Sequence, residues 1–186
     1  MIHSRHLQTY VIRPVLSELE AYYGIGDREV AEELLMLTAA MGSEGGKWLR
    51  QDEELSGRPP AVARNALGIY GMEPKAIYHV TDMVLEMPTR IPGLPECLQS
   101  TLSGNGIQTA VGANLLFATA LARLHYYFTS EPLPLVVDSI GIAAYWRTYW
   151  NAPLEGVRHV SDLEVIHATQ DVAAAVAHYE QYKKAT

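Results

Sequence analysis

Ser43 stands between Gly42 and Glu44-Gly45, a nucleophilic hydroxyl and a carboxyl side by side in a glycine-rich stretch. A nucleophile elbow needs a fuller Gly-x-Ser-x-Gly pattern on a strand-to-helix turn, and Met41-Gly-Ser-Glu-Gly supplies only part of it. The seven histidines include no His-Glu-x-x-His pair, and His159 with His167 is too thin a basis for a metal site. Cys97 is the single cysteine, so neither a dithiol nor an internal disulfide can form. Phosphate-loop and dinucleotide fingerprints are missing as well, and we expect no metal and no cofactor.

Charge narrows the partners. A formal net charge of -7 and a pI near 5.4 give a long-range field of the wrong sign for phosphate backbones or anionic lipid. Nucleic acid is not an expected partner, and avid binding to an anionic wall polymer would need a local basic patch. The stretch with the most apolar character, 110–124, is interrupted by Asn114, Thr119 and Arg123 and falls short of the roughly 20 apolar residues of a membrane span. MIHSRHLQTYVIRPVL has no long apolar run after its basic residues, so no signal peptide is expected.

The elements that would position these residues are mostly helical. Leu7, Val11, Val15, Leu16 and Leu19 recur at helical spacing despite Pro14, and Val30, Leu34, Leu35, Leu37 and Thr38 mark a second helix behind Asp27 as N-cap. That helix should stop at Gly42 or at Gly45-Gly46. Residues 51–65 read as a surface loop, Pro74 opens a third helix to about Leu85, and Met87 to Gly106 reads as a long irregular excursion. Val111 to Phe128 predicts one long, buried helix, Val136 to Trp150 another, and Ser161 to Glu164 has capping-box spacing for a last one. With 186 residues and 48% hydrophobic content, one domain with a sizeable core is expected, residues 156–186 being its C-terminal helical extension.

Four pieces in order carry a resemblance: LMLTAAMGSEGGKWLRQ at 35–51, LGIYGMEP at 67–74, GANLLFATALARLHYYFTSEPLP at 112–134 and IAAYWRTYWNAP at 142–153. Together they resemble phage-particle proteins of the soluble lytic transglycosylase, goose-lysozyme-like superfamily. The resemblance implies a mainly α, lysozyme-like domain with at most a short β element. In that family a helix ends in Glu-Ser, and the Glu protonates the glycosidic oxygen of the peptidoglycan strand, which needs a carboxyl kept protonated by partial burial. One carboxyl suffices, because an N-acetylmuramic acid hydroxyl closes internally to an anhydro sugar; two-carboxylate geometry is not required.

Laid on the family pattern without gaps, this chain has Gly42 at the acid and Ser43 at the serine. Glu44, two residues on, is the remaining candidate acid; on a continuing helix it points about 200° away from position 42, and its alternative is an exposed residue at a helix end. Gly71 replaces the family's substrate-reaching Gln, beside Tyr70. Asn114 corresponds to an Asn near the substrate cleft, or else is an internally bonded Asn; Tyr145, Tyr149 and Asn151 correspond to an Ala-Tyr-Asn element at the cleft floor.

The resemblance, with its acid and its Gln both replaced by glycine, implies a virion structural or accessory protein on a decayed lysozyme-like scaffold. It would be made in the host cytoplasm and carried in the tail or as an ejected internal component. Its partners would be other virion proteins, with several copies of itself in the particle. His125 to Phe128 and the segment 173–182 offer aromatic docking surfaces, the latter equally able to pack on its own domain. Two alternatives stay open: an active transglycosylase using Glu44, and a peptidoglycan-binding module that keeps the groove without the reaction.

Overall fold

In the computed structural model the described residues are 2–24, 26–43, 45–46, 66–86, 106–129, 131–135, 138–150 and 162–184. They form seven helices and almost no strand. The expected loops at 51–65 and 87–105, Cys97 and Ser161 lie outside the described residues.

Helix α1 spans residues 4–23 as Ser4–Leu7, a π-helical turn Gln8–Ile12, and Arg13–Tyr23. Pro14 lacks an N–H and its ring crowds the carbonyl four residues back, so a widened turn before it lets the helix continue. The helix closes at Gly24, where φ is 63° and the amide donates to the Glu20 carbonyl at 2.9 Å. Asp27 is itself left-handed, with φ 62°, and its carbonyl receives the Ala31 amide as α2, Arg28–Ser43, begins.

Helix α2 is buried along most of its length, because α1, α5, α6 and α7 pack around it. That explains its continuous run Leu34 to Ala40 in place of a one-sided stripe. After the turn at 66–72, α3 is Pro74–Glu86, with Pro74 at its first position and Ile77, Val80 and Val84 facing inward. The strand content is one antiparallel bridge, Leu67 with Met72.

The single long helix expected over Val111 to Phe128 is instead two, α4 at Ile107–Ala113 and α5 at Leu115–Tyr127, bent by 108°. Asn114 turns the chain: its backbone is extended, and its side chain accepts the amides of Leu116 and Phe117, both at 3.1 Å. Among the described residues no single helix is long and apolar enough to cross a membrane; α4 and α5 pass such a test only as this bent pair.

Helix α6, Ser139–Tyr149, starts later than expected because Asp138 caps it, its Oδ1 taking the Gly141 amide at 2.7 Å. Helix α7, Asp162–Lys184, lies on α2 and α6 and buries Ala175, Tyr179 and Tyr182. Spacings of four and three residues put these side chains on one stripe. The aromatic segment therefore packs on its own domain rather than lying open. One apolar cluster runs from Leu7 to Tyr182.

Candidate functional site

Three glycines bring backbone against backbone around the 67–72 turn, two of them where α2 ends and the third against α4. A Cβ on Gly42 would stand 2.4 Å from the Tyr70 carbonyl oxygen and 2.5 Å from its carbon. Facing it, a Cβ on Gly71 would meet the Gly42 oxygen at 3.0 Å and its Cα at 3.1 Å, while one on Gly68 would meet the Val111 carbonyl at 2.4 Å. Gly68 and Gly71 also have φ of 72° and 62°, which L side chains adopt at a cost. Position 42 is filled by the 67–72 turn, and no side chain fits there without moving it.

Ser43 fastens this junction. Its hydroxyl donates to the Ile69 carbonyl at 2.5 Å and receives the Gly46 amide at 2.7 Å, and the residue is buried. Tyr70, beside it in the turn, is fully buried, with its hydroxyl 2.9 Å from Thr119 Oγ1. Burial pushes the Tyr70 hydroxyl well above its ordinary pKa, the bond to Thr119 only partly opposing it. Two hydroxyls that could have met a sugar are thus holding α2, the turn and α5 together.

A second buried pair crosses the same core, Thr38 Oγ1 with the Tyr126 hydroxyl at 2.8 Å. Thr38 and Thr119 also donate back to the carbonyls of Leu34 and Leu115, so each keeps a partner within its own helix. The chain matches no family model, no curated protein and no solved structure.

The remaining candidates lie elsewhere. Asn114 is exposed but occupied as the cap of α5. Tyr145 is buried, donates to the Glu131 carbonyl at 2.8 Å and sits 2.8 Å from Thr129 Oγ1, tying α6 to the segment after α5. Desolvation raises its pKa, with the Thr129 bond working the other way. Tyr149 is half-buried with its ring centroid 4.5 Å from that of Tyr145. Glu44 and Asn151 lie outside the described residues.

The structure thus brings Ser43, Tyr70 and Gly71 together, and employs Tyr145 and Asn114 in contacts of their own. Among the described residues no group of three or more His, Cys, Asp or Glu side chains is placed to hold a metal ion. Sequence reasoning missed Thr119 and Tyr126 as partners of Tyr70 and Thr38. The available signal was hydroxyl residues within helices that are otherwise apolar, which must find partners when buried.

Proposed function

We propose that this chain is a non-catalytic, lysozyme-like scaffold that serves as a structural or accessory protein of a phage particle, in assembly or in engaging the cell wall during genome entry. The assignment to a phage particle rests on the order and spacing of the four motifs. The loss of chemistry rests on one observation: at position 42 the space an acid side chain would need is taken by the Tyr70 carbonyl, at 2.4 Å from any Cβ. A general acid must be within hydrogen-bond reach of the oxygen it protonates, and glycine sealed against a turn presents no such group. The engaged hydroxyls of Ser43 and Tyr70 support the same reading.

The test is incubation of the wild-type chain and a Glu44→Gln variant with isolated peptidoglycan from several bacteria, reading released muropeptides and anhydro sugars by mass spectrometry. No release by either protein, beside an active transglycosylase control, is expected. Release by wild type that Glu44→Gln abolishes would establish an enzyme whose acid is Glu44. Sedimentation with insoluble wall without release would favour the binding-module alternative.

A further inference from the structure

On the outer side of α1 a cleft of about 570 Å³ separates this helix from α2 and α7. Arg5, Gln8, Thr9 and Arg13 line one wall, and Glu33 and Lys183 stand on the other. In an uninterrupted α-helix, eight residues at about 100° each would leave Arg5 and Arg13 about 80° apart. The π turn Gln8–Ile12 inserts one residue into the winding and takes back about 100°, so the two guanidinium groups come within about 20° of one face. Both accordingly line the same cleft.

The acids nearby are already committed. Glu32 receives Arg13 Nε at 3.0 and 3.1 Å and Nη2 at 2.9 Å, and it also takes Gln8 Nε2. Glu33 receives the Tyr179 hydroxyl at 2.5 Å and Lys183 Nζ at 3.3 Å, and Glu180 Oε1 lies 3.6 Å from the same Nζ. Arg5 is exposed and makes no ion pair with any described carboxylate, and Arg13 keeps Nη1 unengaged by described residues. A second hollow of about 390 Å³ shares Arg5 and Thr9 and is walled by His3, His6 and Tyr10. There the rings of His3 and His6 lie 5.1 Å apart, and His6 meets the 69% exposed Tyr10 edge-on at 5.6 Å.

We infer that this groove binds an oxyanion, a carboxylate or phosphate held by Arg5 and Arg13, with the body of its carrier lying over His6 and Tyr10. Guanidinium groups match both oxyanions in geometry and charge. The net charge of -7 does not prevent this, because salt screens charges beyond about 8 Å, and within the groove Glu32, Glu33 and Glu180 are paired with Arg13 and Lys183, which leaves the Arg5 guanidinium to meet the anion. The inference is independent of whether the scaffold is a phage component.

The test is titration of the isotope-labelled full chain with inorganic phosphate and, separately, with succinate, following backbone amide shifts by NMR. Saturable shifts confined to residues 3–13, 32–36 and 179–183 are expected, weakened about fivefold or more by Arg5→Ala and unchanged by Lys75→Ala at an exposed position of α3. Stronger binding of phosphate would indicate a phosphorylated carrier, and stronger binding of succinate a carboxylated one. Absence of saturable shifts at 4–13 with both probes, or binding indifferent to Arg5→Ala, would overturn the inference.

Discussion

Only 4% of Arg123 reaches solvent, and its Nε and Nη1 have no hydrogen-bond partner among the described residues, Nη2 alone reaching the Gly26 carbonyl at 3.3 Å. Burial lowers its pKa, with attraction from Asp27 as the main opposing influence. A desolvated cation costs several kcal/mol, whereas a single long hydrogen bond returns about 1 kcal/mol. Arg123→Met should therefore leave stability unchanged or raise it by about 1–3 kcal/mol in urea unfolding. A loss above about 2 kcal/mol would mean that the guanidinium is well paired. His125 offers a pH-dependent counterpart. Its Nε2 lies 3.1 Å from the Tyr149 carbonyl and its ring packs edge-on to Trp150 at 4.9 Å. Burial lowers its pKa below 6.5, partly offset by the Tyr149 bond. The unfolded chain then binds the proton more readily, so this contribution is present above pH 6.5 and is lost as pH falls through the folded value. His125→Gln should flatten the fall of melting temperature between pH 7 and about pH 5, and an unchanged slope would show that other groups set it.

At the scale of elements, Asn114 separates a substrate role from a structural one. Its side chain satisfies two orphan amides of α5, so Asn114→Ala should cost about 1 kcal/mol while Asn114→Asp retains most of the stability, measured by urea midpoint. Equal stability of Asn114→Ala and wild type would contradict the cap. The sequence reveals the helices through apolar spacing, as at Leu7 to Leu19, and through Pro74 at a helix start. It conceals the break at Asn114, because Val111, Leu115 and Ala118 keep helical spacing across it and only the cap geometry marks the bend. The π turn before Pro14 is hidden for a related reason: periodicity registers a helix but not one extra residue in its winding, so Arg5 and Arg13 do not read as neighbours. Ser43, Tyr70 and Gly71 were legible as a cluster, but their closeness was not legible as a seal, since a glycine shows whether space exists only once its neighbours are placed.

For the molecule as a whole, the contact between α2 and the 67–72 turn helps to hold the core continuous from Leu7 to Tyr182. It also commits Ser43 and Tyr70 to the interior, while Gly42 and Gly71 stay partly exposed. Unfolding of Gly42→Ala in urea tests that closure most directly. Helix propensity alone favours alanine by about 1 kcal/mol, whereas overlap with an immovable backbone carbonyl should cost about 3 kcal/mol or more. Expected is a net loss of at least about 2 kcal/mol with an unchanged dependence on urea. A variant as stable as wild type, or more stable, would mean that position 42 is open and that the site is not sealed.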